Sequence, residues 1–360
     1  MKDRQAQLTE ALAKSGVDAI LLTKQANQRY IEGFPGNDCY MIASGRGNFL
    51  IADSRYTELG DMTCRSAKIL PHRPPHPPLG EVIAQISRTY GFSRIGFERN
   101  DITWGEHEAI SERLSADGIV MVPVASLMES IRAKKDTEEI EKISNACRIA
   151  DLALKDLIRF VKPGVTELGL KTELDYSLKK HGAEDVSFDT MVLFGARASQ
   201  PHADSRADVK LCDGDFILID YGAASDGYRS DTTRTFICGH ASDQQKLAYE
   251  TALKSQIESL SLVAPGANGR DINGCARGII QDAGFPAFEY GIGHGVGLEI
   301  HEEPFLRQNT DVILEPGMVL TVEPGIYKPG WGGIRIEDTV LVTEDGHEVL
   351  TLFPKELVIL

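Results

Sequence analysis

At 360 residues the chain is too long for one small domain, and its 42% apolar content suffices for two cores. A net charge of -15 excludes the basic face that nucleic acid or an anionic membrane would require. The six cysteines are scattered without a C-x-x-C pair, so they read as free thiols of a reducing compartment. Residues 1–16, MKDRQAQLTEALAKSG, are charged throughout and lack an apolar signal core, and no apolar run reaches membrane-spanning length. A soluble, cytoplasmic protein is expected.

The first segment reads as α/β. Leu8 and Leu12 give residues 4–15 a helical spacing, with Gly16 as the stop. Apolar runs at 19–22, 39–44 and 48–53, separated by Gly36-Asn37 and Gly45-Arg46-Gly47, predict strands. The proline-rich stretch 70–80 can continue neither a helix nor a central strand, which predicts a surface connection. His72 and His76 lie there without carboxylate or thiolate neighbours in sequence, so they are expected to be solvated. Residues 126–161 form a long amphipathic helical stretch ended by Pro163-Gly164, with the interdomain linker placed at about 124–136. Further helices are predicted at 165–183 and 242–262. From 211 onward the apolar runs are short, β-branched and glycine-bounded, as in a curved antiparallel sheet.

Five residues in this second half stand in apolar or glycine-rich runs where an unpaired charge is costly: Asp220 (FILIDYGA), Asp231 (YRSDTTRT), His294 (GIGHGVG), Glu323 (LTVEPGIY) and Glu337 (GIRIEDTV). Four carboxylates balance two divalent cations, so a dinuclear hydrolytic centre is the economical reading. FILIDYGA and YRSDTTRT flank the hairpin signal Ala-Ser-Asp-Gly at 224–227. A Ser225-Asp226 loop sets Asp220 directly opposite Asp231; an Asp226-Gly227 turn makes them diagonal neighbours. Glu323 and Glu337 sit on strands joined by a long loop, PGIYKPGWGG, and are expected to converge at one end of a hairpin.

Oxygen-rich ligation with one imidazole suits manganese, with cobalt or zinc as alternatives, better than a thiolate-bound structural zinc. Such a pair of ions lowers the pKa of a shared water, which can then attack a carbonyl. His202 (SQPHADS) and His301 (EIHEEP) are candidate donors to the oxyanion or leaving amine. Arg335 shares a strand face with Glu337 and could orient the carboxylate or meet substrate.

In this order and spacing, the motifs resemble the pita-bread metallopeptidases, in particular the Xaa-Pro aminopeptidase (aminopeptidase P) and Xaa-Pro dipeptidase (prolidase) branch. The resemblance covers almost the whole chain. It implies an α+β protein with a creatinase-type α/β N-terminal domain over 1–130, including DSRY at 53–56, and a pita-bread catalytic domain over 131–360. It further implies that Asp220, Asp231, His294, Glu323 and Glu337 hold two metals, Asp231 and Glu337 bridging. Glu323 would shuttle a proton, and His202 and His301 would contact substrate or the tetrahedral intermediate. A homodimer and a peptide substrate with proline in second position are also implied.

Two positions bear on specificity. Several aminopeptidase P members carry a second histidine four residues before the metal histidine, where this chain has Tyr290. Some proline dipeptidases place an arginine after H-E-E-P to hold the substrate's carboxylate, a role open to Arg307. The competing readings are a creatinase-like amidinohydrolase and a non-catalytic interaction protein; both are expected to lack a complete ligand set.

Overall fold

The computed structural model describes residues 4–360. The chain divides into two compact units, with the boundary between Arg132 and Ala133. No helix among the described residues is long and apolar enough to cross a membrane. All six cysteines are unpaired.

In the first unit a six-stranded sheet runs in the spatial order Lys68–Pro71, Gly47–Ala52, Tyr40–Ser44, Ala19–Leu22, Arg94–Glu98, Val120–Val124. Ala19–Leu22 is buried at every position, as the continuous apolar run AILL requires of a central strand. Two helices that the strand-centred reading did not delimit, Leu79–Tyr90 and Trp104–Ser115, cover one face through Val82, Ile83, Ile86, Ile110 and Leu114. The proline-rich stretch is only partly a connection. Leu70 and Pro71 end an edge strand, where a missing N–H is tolerated, and Leu79 already opens a helix. His72 is not solvated as expected: it is 4% exposed, with its ring edge-on to Tyr40 at 5.7 Å.

The helical stretch at 126–161 is interrupted. Helix Leu127–Ala133 stops, and helix Thr137–Leu157 starts afresh on Asp136. Asp136 accepts from the Glu139 amide at 3.0 Å while the Glu139 carboxylate accepts from the Asp136 amide at 2.9 Å. This reciprocal cap satisfies otherwise orphaned amides and fixes a new helix start within a pattern that reads as continuous.

The second unit is built on antiparallel strands sandwiched by helices. Along Phe216–Tyr221 the side chains alternate between two cores. Phe216 and Leu218 meet the core that includes helices Asp243–Ser261 and Gly269–Asp282. Ile217, Ile219 and Tyr221 meet the core that includes Thr137–Leu157 and Glu167–Lys180. Helix Gly269–Asp282 lies in the stretch from 211 onward that the sequence pattern, apart from a helix at 242–262, assigns to sheet. Ile272, Ala276 and Ile280 form its buried stripe and Asn268 caps it. Three glycines, at 269, 274 and 278, masked that period.

Two hairpins carry the carboxylates, and they share one construction. In the first, Phe216–Tyr221 pairs with Thr232–Ile237, and Ala223–Ser225 continues the same register against Tyr228–Arg229. The turn is Asp226-Gly227, both with positive φ (50° and 78°), the geometry of a tight hairpin. Of the two sequence registers, the diagonal one is therefore present: Asp220 pairs with Thr233, and Asp231 lies one step before the inner strand. In the second hairpin Val319–Val322 pairs with Asp338–Val342, and Gly325–Lys328 with Gly332–Arg335. PGIYKPGWGG is thus mostly a paired ribbon, not the long loop expected. In the first hairpin the ladder breaks at Asp231 while Asp220 stays paired, and in the second it breaks at both Glu323 and Glu337, freeing backbone groups to bond elsewhere. The Glu337 amide donates to Thr233 O at 3.1 Å and the Glu323 amide to Ile292 O at 2.7 Å, which draws the two hairpins and the His294 segment together.

Candidate metal centre

Asp220 from the paired part of the first hairpin, Asp231 from its break, and Glu323 and Glu337 from the break in the second line a common cavity of about 790 Å³. His202, Asp220, Asp231, Tyr290, His294, His301, Arg307, Glu323, Arg335 and Glu337 all line it, so every residue singled out from the sequence for the site lies on its wall.

At its floor, Asp231, His294 and Glu337 each present a ligand atom within 4.8 Å of the others, and all three are buried. His294 Nε2 is 3.4 Å from Asp231 Oδ2 and 3.4 Å from Glu323 Oε1. Its Nδ1 meets the Gly295 carbonyl at 3.1 Å, which makes Nδ1 the protonated nitrogen and turns the Nε2 lone pair toward the carboxylates. Asp220 stands slightly apart, with one oxygen bound by the Arg335 guanidinium.

The carboxylates stand close enough to oppose one another's ionisation, with Arg335 as the cation among them. Burial, followed by repulsion from Asp220 and Glu323, holds the Asp231 carboxyl well above the ordinary carboxylate range. Burial and the charges of Asp231, Glu323 and Asp220 do the same to Glu337. Two buried carboxylate oxygens, Asp220 Oδ1 and Glu337 Oε1, have no hydrogen-bond partner among the described residues. Buried acceptors are almost always satisfied, so orphaned anionic oxygens beside an imidazole lone pair fit a divalent cation.

Around this floor the protein holds the carboxylates rigidly. Thr233 Oγ1 donates to Glu337 Oε2 at 2.7 Å and accepts from Arg335 Nε at 2.9 Å. Arg335 also donates to the Tyr327 hydroxyl at 3.0 Å and is only 4% exposed. The carboxylate it binds directly is that of Asp220, and it reaches Glu337, the carboxylate considered from the sequence, only through Thr233. Thr233 and Tyr327 were not singled out from the sequence, although both lie inside the SDTT and VEPGIY motifs.

The upper wall is more open. His301 meets His294 edge to face at 4.4 Å, and partial burial together with the neighbouring histidines pushes its pKa down to about 4. His202 and Arg307 are exposed on the wall, the Arg307 guanidinium 4.0 Å from the centre of the Phe305 ring. Tyr290, 46% exposed, has its ring centre 6.3 Å from that of Tyr327.

Fold and site together define a metallopeptidase: residues 141–344 match metallopeptidase family M24 and residues 4–134 the creatinase/prolidase N-terminal domain, and the chain belongs to this family. Among its relatives, an Xaa-Pro dipeptidase of Pyrococcus horikoshii is 32% identical over 99% of both chains. A solved Xaa-Pro dipeptidase from Bacillus anthracis superposes with a TM-score of 0.94 at 36% identity, covering 99% of each chain. A solved X-Pro aminopeptidase from Thermotoga maritima gives 0.90 at 30% identity, covering 99% of this chain and 100% of that one.

Proposed function

We propose that the protein is a dinuclear metal-dependent peptidase that hydrolyses the N-terminal Xaa-Pro bond of a peptide or dipeptide. The observation that carries this reading is the convergence of Asp231, His294 and Glu337 within 4.8 Å at the floor of a cavity that Asp220 and Glu323 also line. Two divalent ions held by these five residues, manganese first among the candidates, would supply a water acidic enough to attack at neutral pH and would polarise the scissile carbonyl. Asp231 and Glu337 would be the carboxylates shared between the two ions. Glu323 takes the proton of the attacking water and passes it to the leaving proline nitrogen. His301 and His202 donate to the oxygen that gains charge. Arg335 holds Asp220 in place rather than touching substrate. The complete ligand set argues against the creatinase-like and non-catalytic readings. A cytoplasmic homodimer is part of the proposal.

Specificity turns on Arg307. It stands exposed on the wall of the cavity that the carboxylates line, a guanidinium suited to pairing with a dipeptide's carboxylate, which favours a dipeptidase as the second reading. The test supplies equal amounts of Ala-Pro and Ala-Pro-Ala to manganese-loaded protein and follows free proline and Pro-Ala separately. Pro-Ala release identifies an aminopeptidase. Proline alone identifies a dipeptidase, and Arg307→Ala should then raise KM for Ala-Pro by about tenfold to a hundredfold with kcat little changed. Absence of both products overturns the Xaa-Pro assignment.

A further inference from the structure

We infer that Lys135 is a positioning residue for the active site: its buried ammonium fixes the Glu302 carboxylate and thereby seats His301 against His294. Lys135 Nζ lies 2.8 Å from Glu302 Oε1, and the two side chains are only 1% and 3% exposed. The ammonium also donates to Ala133 O at 3.2 Å. Glu302 Oε2 accepts from the Glu299 amide at 3.3 Å, so the carboxylate ties together the segment that leads into His301. The fold is shaped around this carboxylate. A Cβ on Gly297 would lie 2.4 Å from Glu302 Oε1, so the glycine of H-G-V-G is what admits the charge. The strand ladder also slips between His294 and Gly295, which pair with Phe305 and Glu302 respectively.

An ion pair this dry returns little net stability, and apolar side chains of similar volume would serve a purely structural purpose as well. What it supplies is direction. The pair anchors the backbone one residue from His301, whose ring sits 4.4 Å from the His294 ring on the cavity wall. The kinetic consequence rests on the proposed donor role of His301; the positioning itself does not.

The resonance is read on the full chain loaded with diamagnetic zinc and labelled at the histidine Cε1 carbons, with the His301 signal identified by its loss in His301→Ala, and turnover is read on the manganese-loaded full chain. In Lys135→Met the His301 resonance should shift or broaden while that of His202 stays. Turnover of Ala-Pro should fall about tenfold to a hundredfold, the scale of a catalytic group misplaced by about an ångström. Manganese affinity should stay within about twofold, and the loss should vanish when Lys135→Met is introduced into His301→Ala. Should Lys135→Met fail to fold, the apolar pair Lys135→Met/Glu302→Leu gives the same readings without a stranded charge. An unmoved His301 resonance, or a loss equally large without His301, overturns the inference. If the wild type cleaves no Xaa-Pro substrate, the proposed reaction falls and the resonance alone decides the positioning.

Discussion

Replacing Asp231 by asparagine will reduce peptide turnover by about a thousandfold or more and will at the same time raise the melting temperature of the chelator-stripped protein. The two effects have one cause. Asp231 is 5% exposed, and burial and the neighbouring charges of Asp220 and Glu323 disfavour its ionised form. Without a cation the cluster is a net liability to the fold, because like charges in a dry setting repel and have lost their water. Asparagine keeps the shape and removes the charge. Relief of about 1 kcal/mol corresponds to a rise of about 2–4 °C for a unit of this size. Differential scanning calorimetry on metal-free wild type and variant checks the stability arm. A lower melting temperature for the variant would mean that Asp231 is held by protein contacts alone and that the cluster is not built around cations.

The second large effect is expected at Arg335. Its guanidinium reaches Asp220, Thr233 and Tyr327 together, and Thr233 in turn holds Glu337. Arg335→Met strands a buried carboxylate and frees two hydroxyls in one step. Breaking a buried ion pair from one side costs about 3–5 kcal/mol, enough to lower the melting temperature by roughly 10 °C. Manganese affinity should drop about tenfold to a hundredfold, as when an outer partner of a metal ligand is lost. Arg335→Lys restores the charge but not the planar fork, so it should recover stability more fully than affinity. Isothermal titration with manganese decides the point. Unchanged affinity in the methionine variant would show that Asp220 needs no orientation from Arg335.

The site was more legible in the sequence than the fold around it, for a physical reason. A carboxylate inside an apolar strand such as FILID or IRIED violates ordinary burial preference, and each violation is visible locally. Convergence of such residues on one cavity follows once their strands pair. Register was less legible, since Ser225-Asp226 and Asp226-Gly227 are both acceptable turns by composition. The pairing of Ser225 with Tyr228 and the positive φ of Asp226 and Gly227 separate them. Helix Gly269–Asp282 was hidden because its three glycines lower helix propensity, and tertiary burial of Ile272, Ala276 and Ile280 outweighs that cost. The supporting contacts of Lys135, Glu302, Thr233 and Tyr327 were not legible at all. Lys135 and Glu302 are 167 positions apart, and nothing in either local pattern announces the other.

The most direct test of the dinuclear assignment is to titrate chelator-stripped protein with manganese while following bound metal and Ala-Pro cleavage in the same samples. The five-residue centre predicts two equivalents bound per chain, turnover that is absent at the start and reaches its plateau as they bind, and no such binding or turnover in Asp231→Asn. Full turnover in the stripped protein under excess chelator, with no manganese bound, would contradict it.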